Sequence, residues 1–397
     1  MSWPIVTLGD VATFIRNGVS LKQSSEASGL KITRIETIAD RIVNLDKCGY
    51  ADLGDSDYPE YRLKRGDILI SHINSEKHLG KCAIFELNRD DIVHGMNLLC
   101  FRANDKVFPK YVFYYLSSPQ FLSQLPTITK KSVNQASFTV TNFKELEIPL
   151  PPLTEQKRIA AILDKADAIC RKRQQAIELA DEFLRAVFLD MFGDPVMNPK
   201  GLKKAPITEL ADVITGFAFK SSEYVSESEN SVRLCRGANT LTGYFDWKDT
   251  VYWPQDKLAK LDSYLIHEGD VILAMDRPWI SSGLKVCVFP QNEPLTYLVQ
   301  RVARLRPKDS IFSDYIYSCI KSQSFEKHCC PTETTVPHIS PVELKKYEVL
   351  IPSERLINQY HSIASTLNKN LQRMQYCEME SEGIFNSLSQ KAFSGEL

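Results

Sequence analysis

The polar segment TKKSVNQAS, residues 129–137, carries side chains suited to contacting a polyanion that also presents planar bases. The ammonium groups of Lys130 and Lys131 can neutralise phosphates and hold such a ligand in register. Asn134, Gln135 and Ser137 can exchange hydrogen bonds with base edges. The segment therefore predicts binding chemistry, in which cations position a nucleic acid and neutral polar groups read it.

Further candidates for the same contacts lie in turns and loops that follow short strand patterns, where side chains project from a scaffold. They are Arg34, Thr37, Lys77, His78, Arg236, Asn239, Arg277, Trp279, Thr335 and His338. The last two belong to TETTVPHIS, residues 332–340, which takes the place of TKKSVNQAS in the second half of the chain. A structural salt bridge is an equal interpretation for Arg34 and Arg236, and Trp279 can equally be a packed residue.

The sequence lacks the residue patterns of catalysis. It contains no GxxxxGK[ST] phosphate loop, and its one Pro-Pro pair, residues 151–152, stands between leucines and so does not match an amino-methyltransferase motif. Asp67 and Asp270 follow glycines and are interpreted as turn residues rather than metal ligands. The adjacent cysteines of His328-Cys329-Cys330 are poorly placed to chelate one tetrahedral ion. We expect no catalytic, cofactor or metal site in this chain.

Composition allows a large soluble protein and leaves the ligand open. The chain has 397 residues, 43% of them hydrophobic and 24% charged, and this length exceeds what one hydrophobic core usually supports. The net charge of -1 does not exclude nucleic acid, because a local basic face matters more than the sum. Scattered cysteines and the absence of a signal peptide or an apolar span predict a cytoplasmic protein with no membrane partner.

Five pairs of segments recur in the same order at an offset of roughly two hundred residues, as expected of an internal duplication. The clearest pair is YRLKRGDILIS, residues 61–71, and YLIHEGDVILA, residues 264–274. Each has a Gly-Asp turn followed by an apolar run typical of a buried strand. Another pair aligns Arg34 with Arg236. The sequence thus predicts two duplicated α+β domains, each followed by a long helix.

The central helix is predicted from its composition and its apolar period. Residues 155–192 contain neither proline nor glycine, and a helix of that length spans roughly 57 Å at about 1.5 Å per residue. A heptad seam follows Ile159, Leu163, Ala166, Cys170, Ile177, Ala180, Leu184 and Val187, with Arg173 as its one cation. The tail repeats the pattern at Ile363, Leu367, Met374, Ile384 and Leu388. We expect the two helices to form an antiparallel coiled coil about a pseudo-twofold axis.

With these elements placed, the sequence resembles the specificity subunits of type I restriction-modification systems over essentially its full length. The resemblance is carried by IPLPPLTEQKRIAAILDKADAI (residues 148–169), FLDMFGDP (188–195), SLSQKAFSGEL (387–397) and the paired GDILIS and GDVILA strands. The second copy departs from the pattern, because IPSERLINQ replaces PPLTEQ and moves the expected helix start towards Gln359.

The resemblance implies a function for each part. Residues 1–153 and 194–352 would be target-recognition domains, each reading one half of a bipartite, asymmetric site in double-stranded DNA. The helices 154–193 and 353–397 would set the spacing and dock two modification (methyltransferase) subunits, and restriction (translocase and nuclease) subunits would join them. S-adenosylmethionine, ATP and Mg would be used by those partners, with no cofactor held by this chain.

Two other functions remain open on the sequence. A duplicated coiled-coil scaffold that binds proteins would show the same helices, since heptads are more often structural than functional. The recognition part of a fused restriction-methylation enzyme, detached from its catalytic domain, would show the same domains.

Overall fold

The protein is described by a computed structural model covering residues 3–39, 41–54, 56–133, 135–329 and 338–397. It divides into two compact units. Unit 1 comprises the described residues up to 172 together with 378–397, and unit 2 comprises those from 173 to 377. Each unit therefore contains a globular domain and a part of both long helices.

Unit 1 contains short strands and four short helices. Its strands are β1 Ile5–Thr7, β2 Ala12–Asn17, β3 Leu30–Ile32, β4 Gly49–Ala51, β5 Ile68–Ser71, β6 Ile73–Asn74, β7 Cys82–Ile84, β8 Ile92–Val93, β9 Leu98–Ala103, β10 Lys130–Lys131, β11 Ala136–Ser137 and β12 Glu147–Pro149. Its short helices are α1 Pro109–Leu116, α2 Pro119–Leu122, α3 Leu125–Ile128 and α4 Val140–Lys144. The long helix α5, Leu153–Phe192, begins in this unit.

Unit 2 repeats this arrangement. Its strands are β13 Lys203–Pro206, β14 Ala211–Thr215, β15 Ser231–Cys235, β16 Val251–Pro254, β17 Val271–Ala274, β18 Trp279–Ile280, β19 Gly283–Leu284, β20 Val286–Val288, β21 Thr296–Leu298, β22 Val302–Pro307 and β23 Glu348–Ile351. Its short helices are α6 Ser313–Lys321, α7 Gln323–Cys329 and α8 Pro341–Lys346. The second long helix, α9 Glu354–Ser394, begins here.

The sheets of the two units have the same strand order. The central antiparallel sheet is β2-β9-β5-β7 in unit 1 and β14-β22-β17-β20 in unit 2. A smaller sheet follows in each, β4-β3-β8 and β16-β15-β21, with its β3-β8 or β15-β21 pair parallel. Identical order and direction in two separately folded units confirm the predicted duplication.

The Gly-Asp turns anchor the central strands of both sheets, as the sequence predicts. In unit 1 the buried Asp67 accepts hydrogen bonds from the guanidinium of Arg102 at 2.7 and 2.6 Å. In unit 2 Asp270 does the same with Arg306 at 2.9 and 2.8 Å. Because a buried carboxylate needs such a partner, each pair fixes the turn to the neighbouring long strand.

Each unit buries one part of α5 against one part of α9. In unit 1 Ile159 and Leu163 lie in the same core as Phe393, whose ring contacts Tyr111 with 5.4 Å between centroids. In unit 2 the rings of Phe188 and Phe192 contact Tyr360. Every position of the predicted α5 seam is buried or half-buried, and its pairing with the seam of α9 along the whole helix stays a prediction.

The predicted seam of the tail helix is partly wrong. Ile363 and Met374 are 40% and 37% exposed, whereas Ala364 and Leu371 are buried in the core of unit 2. From Tyr360, a heptad pattern can continue either through Ile363 or through Ala364. The larger apolar side chain of Ile363 favoured the first of these phases in the sequence, whereas the structure buries the residues of the second. Leu367 is common to both phases and packs against that core, Leu388 packs in unit 1, and the side chain of Ile384 lies outside the described residues.

Helix α9 begins at Glu354 rather than near Gln359. Its first turn starts from Ser353, whose carbonyl accepts hydrogen bonds from the amides of Leu356 and Ile357 at 3.0 Å each. Of the helices that the structure describes, not one is long and apolar enough to cross a membrane.

Candidate DNA interface

The polar segment of unit 1 forms a small three-stranded sheet of order β10-β11-β6. Lys130 pairs with Ser137 across β10 and β11, and both lysines of β10 are exposed. The tip of this hairpin projects from the unit, since Val133 is 99% exposed and Gln135 is exposed beside it. Asn134 lies outside the described residues. The arrangement presents two cations and polar groups on one strand pair.

The loop after β6 adds two more of the predicted residues to this sheet. Residues 76–78 form a 3-10 turn in which Lys77 is exposed and His78 is half-buried. Glu76 of the same turn forms an ion pair with Lys131 at 2.5 Å. The structure therefore brings together the loop after the central strand and the hairpin that the sequence singled out separately.

Arg34 and Thr37 brace a loop of unit 1 from within. The amide of Arg34 donates to Oγ1 of Thr37 at 2.8 Å, and its guanidinium bonds to Gln23 Oε1 at 2.7 Å and Ser24 O at 3.0 Å. Thr37 is fully buried. Its hydroxyl is used inside the protein, so that a base contact by Thr37 is not compatible with this structure.

Arg236 and Asn239 have the same relationship in unit 2. The amide of Arg236 donates to Oδ1 of Asn239 at 3.1 Å, and Nδ2 of Asn239 donates to Asp246 O at 3.0 Å. Nη2 of Arg236 bonds to the carbonyl oxygen of Asp249. Asn239 is buried and, like Thr37, holds the loop instead of facing a ligand. For this pair of sites the structural interpretation is the better one, because Nη2 of Arg236 and the side chain of Asn239 bond within their own loop.

Three loops of unit 2 meet at an acidic side chain that the sequence did not single out. Oδ1 of Asp276 lies 2.5 Å from Nδ1 of His338, and Oδ2 accepts from Nη1 of Arg301 at 2.6 Å. Asp276 follows β17, Arg301 precedes β22, and His338 follows a segment outside the described residues. Burial raises the pKa of Asp276, but its bonds to Arg301 and His338 outweigh that effect, so that the pKa lies below its usual value.

Two further predicted residues lie near this cluster. Arg277 is exposed, and its backbone has a positive φ of 44°. Trp279 pairs with Leu284 in the hairpin β18–β19 and is packed against the core of unit 2, as the alternative interpretation had it. Thr335 lies outside the described residues.

The backbone relates the divergent loops of the two units. Ile73 and Asp276 are each the seventh residue after the glycine of a Gly-Asp turn. Ile73 pairs with Ser137 and Asp276 with His338, antiparallel in both cases. His338 is therefore equivalent to Ser137 and not, as the sequence alignment suggested, to Gln135. At this position the same backbone pairing carries Ser137 in unit 1 and His338 in unit 2.

A pair of lysines was missed by sequence reasoning. Lys81 O accepts from Ser71 N at 2.8 Å, and Lys285 O accepts from Ala274 N at 3.0 Å, so that the two lysines are equivalent. Both are half-buried, and neither ammonium group has a partner among the described residues. Burial lowers the pKa of Lys285. The signal available in the sequence was their shared position about fifteen residues after each Gly-Asp turn.

His328 and Cys329 end helix α7, in the part of the chain that the structure describes. Within it, no three His, Cys, Asp or Glu side chains come close enough to share an ion. His328 bonds instead through Nε2 to the carbonyl oxygen of Glu343 at 2.9 Å.

The fold and the paired polar loops define a duplicated α+β module whose two copies share a scaffold and differ in their loops. Comparison with known proteins shows what this module is similar to. Residues 2–179 match the family model described as "Type I restriction modification DNA specificity domain". The crystal structure of the type I restriction-modification system S subunit from M. genitalium has the same fold, with a TM-score of 0.61 at 14% identity over 99% of this chain and 96% of that one.

Two relatives extend the match beyond the first unit. The chain is 39% identical over 243 residues to the "Putative type I restriction enzyme MjaX specificity subunit" of Methanocaldococcus jannaschii, covering 57% of each protein. It is 26% identical over 265 residues to the type I restriction enzyme MjaVIII specificity subunit of the same organism, covering 62% of each. The matches thus span about three fifths of these relatives. By sequence, part of the chain is similar to type I restriction enzyme specificity subunits, and its fold is that of a solved subunit of this kind.

Proposed function

We propose that the chain is the DNA sequence-specificity subunit of a type I restriction-modification complex, in which each unit reads one half of a bipartite, asymmetric site. One observation carries this function beyond the family match. Positions that are equivalent in the two scaffolds carry chemically different side chains, namely the apolar Ile73 and the hydroxyl of Ser137 in unit 1 against the ionisable Asp276 and His338 in unit 2.

Different side chains on one scaffold are what two unlike half-sites require. Contacts to phosphate are independent of sequence and can be shared by both units, whereas contacts to base edges must differ. The hairpin with Lys130 and Lys131 and the cluster around Asp276 differ in this way. A protein-binding scaffold would not need a polar difference at matched positions.

The equivalent lysines Lys81 and Lys285 are the best candidates for the shared contacts. Each lysine is half-buried and its ammonium group has no partner among the described residues, so that a phosphate would bind it beside the protein surface, where the dielectric is lower than in bulk water. Lys285 lies close to the Arg236 loop, because a Cβ placed on Gly237 would be 4.0 Å from its Nζ. The buried Nε of Arg236, which has no described partner, adds a donor to that place.

The chemistry of modification and cleavage would then belong to partner subunits. The sequence supplies no phosphate loop and no amino-methyltransferase motif, which supports a chain that recognises DNA without acting on it. S-adenosylmethionine, ATP and Mg would be used by the methyltransferase and restriction subunits.

A surface of α5 is suited to docking a methyltransferase subunit. Leu179 and Phe183 lie four residues apart on the part of α5 that belongs to unit 2, so that they share one helix face. Their exposed fractions are 65% and 54% although both are large and apolar. Such a pair away from the core is typical of a contact surface. The resemblance to the family suggests two such partners.

The proposal is tested by the methylation pattern of the host. Deleting the gene should remove one bipartite methylated motif from the genome, and restoring the gene should return it. The chain purified with its methyltransferase partner should be retained on duplex DNA with steep salt dependence. Retention that is absent at low salt would favour a protein-binding scaffold. A catalytic domain encoded just upstream in the same reading frame would favour a part of a fused enzyme.

A further inference from the structure

An open cavity of unit 2 is bordered by the three loops that meet at Asp276. Its volume is about 470 Å³, and its lining includes Arg301, Asp276, His338 and Gln300. Gly216 lines the cavity, and a Cβ at this position would come within 2.2 Å of the carbonyl oxygen of Val299. The scaffold is thus tightly packed beneath a set of polar side chains that face the opening.

Arg301 is a largely exposed side chain of this set. Its side chain is 72% exposed, and only Nη1 is engaged, by the carboxylate of Asp276. The other edge of the guanidinium, formed by Nε and Nη2, has no partner among the described residues. The backbone of Arg301 is held at a φ of 65°, a left-handed conformation that is uncommon for a side-chain-bearing residue.

Asp276 fixes the orientation of that arginine. Both of its oxygens are used, Oδ2 by Arg301 and Oδ1 by His338. Two bonds to groups on different loops leave the carboxylate little freedom, which in turn limits the guanidinium to few orientations. An arginine held in this way presents two parallel N–H donors at the mouth of the cavity.

Unit 1 has a different residue at the equivalent position. Leu98 pairs with Ser71, and Val302 pairs with Ala274, so that the residues preceding them, Asn97 and Arg301, correspond. Asn97 also has a positive φ, of 77°. The scaffold therefore keeps an unusual backbone at this turn in both units while the side chain changes from a carboxamide to a guanidinium.

We propose that Arg301 is a specificity-determining residue of unit 2, which bonds the O6 and N7 acceptors of a guanine in the major groove, and that Asp276 is its positioning residue. Arginine is the side chain that most often makes this bidentate contact, and its free Nε–Nη2 edge has the required pair of donors. Asn97 takes the corresponding place in unit 1, where a carboxamide is suited to adenine. This inference rests on the proposed DNA-reading function.

The test compares the DNA bound by the chain with its methyltransferase partner when Arg301 is wild type, Arg301→Ala or Arg301→Lys. Bound duplexes are selected from a randomised pool and sequenced, and methylomes are recorded from hosts carrying each variant. Both variants should lose about 10- to 100-fold discrimination for one guanine in one half of the motif. The other half should be unchanged, and Lys257→Ala, which breaks an exposed ion pair to Glu223 elsewhere in unit 2, should leave both halves intact.

The outcomes separate this inference from the function beneath it. A wild-type complex that selects no motif would remove the proposed function. A wild-type motif that both Arg301 variants retain without relaxation would overturn the role of Arg301 alone. Equal weakening on all sequences, with the unfolding temperature unchanged, would make Arg301 a phosphate contact and would also overturn it.

A second variant tests the positioning role. Asp276→Asn keeps the size of the side chain but removes the charge that holds the guanidinium. The same guanine should be read with lower discrimination while affinity for the best sequence falls less than in Arg301→Ala. If discrimination stays at the wild-type level in Asp276→Asn, Asp276 does not position Arg301.

Discussion

Gln156 and Ile357 occupy the same position at the start of the two long helices. The amide of Gln156 bonds to Pro152 O and the amide of Ile357 to Ser353 O, each at 3.0 Å. Both side chains are buried, yet one is polar and the other apolar. The two units thus stabilise the same helix turn by different means. Unit 1 uses hydrogen bonds of the Gln156 side chain, and unit 2 uses the apolar packing of Ile357.

Replacing Gln156 should destabilise unit 1. Gln156 accepts from the amide of Phe108 at 2.8 Å and donates to Pro151 O at 2.8 Å and Lys106 O at 3.2 Å. Gln156→Leu would leave these backbone groups without a partner, and we expect a loss of about 2–4 kcal/mol in the free energy of unfolding. Calorimetry measures it, with the volume-conserving Ile357→Leu as the matched control. Equal, small effects of both changes would contradict the stabilising role of the Gln156 hydrogen bonds.

Stability of unit 1 should fall as the pH is lowered from about 6.5 to about 4. Burial lowers the pKa of both His72 and His94 to about 4. In the unfolded chain a histidine binds a proton near pH 6.5, so that between these values the unfolded state holds more protons and is favoured by acid. The expected slope is at most about 1.4 kcal/mol per pH unit for each histidine.

The histidine contribution is isolated by comparing pH slopes rather than stabilities. Unfolding is followed in denaturant at pH 7 and pH 5 for the wild type, for His94→Gln and for Ile70→Val, a buried control in unit 1 that removes no titrating group. His94→Gln should have a shallower dependence on pH, whereas the control should keep the wild-type slope. An unchanged slope in His94→Gln would mean that this imidazole has the same pKa in the native and unfolded states.

The two equivalent lysines should contribute to affinity and not to sequence preference. Lys81→Ala or Lys285→Ala in the complex should weaken binding to all duplexes alike, because a phosphate contact carries no base information. Each change should reduce the slope of log K against log salt by about 1. The measurement is a titration of labelled DNA over a range of salt, with Lys257→Ala as control. A changed motif with an unchanged slope would contradict this assignment.

The apolar face of α5 should be needed for assembly and not for folding. Leu179→Glu combined with Phe183→Glu places two charges on that face and should weaken the methyltransferase contact about 30-fold or more, as expected for a hot spot worth at least about 2 kcal/mol. Co-purification and analytical centrifugation measure the loss. Arg185→Glu alters an exposed residue on another face of the same helix and should leave association intact. Full association of the double variant would exclude this surface.

The phase of the tail helix illustrates what a periodic pattern can decide. Tyr360 and Leu367 fit two heptad phases, of which one continues through Ile363 and Asn370 and the other through Ala364 and Leu371. The structure uses the second. The sequence contained a signal for the second phase, because that phase places the apolar Leu371 at the seam where the first places the polar Asn370. The large side chain of Ile363 favoured the first phase, and that prediction was wrong.

The structure divides the polar residues into those that bond within the protein and those that remain available to a ligand. Thr37 and Asn239 looked like ligand contacts because they are polar residues in turns, but both bond the backbone of their own loop and are buried. Asp276 and Arg301 gave no local signal, since they lie 25 residues apart in sequence and meet only through the sheet. A side chain's partner across strands cannot be read from its neighbours along the chain.

The sequence by itself determined the duplication, the long helices, the buried Gly-Asp strands and the resemblance to type I specificity subunits, because each of these is written in local periodicity or in repeated motifs. Only the tertiary structure decided which polar groups are consumed by the scaffold and which, like the free edge of Arg301, remain for a ligand. The reason is physical. Burial and hydrogen bonding between distant segments satisfy some polar groups and leave others exposed, and that balance arises when the loops are brought together.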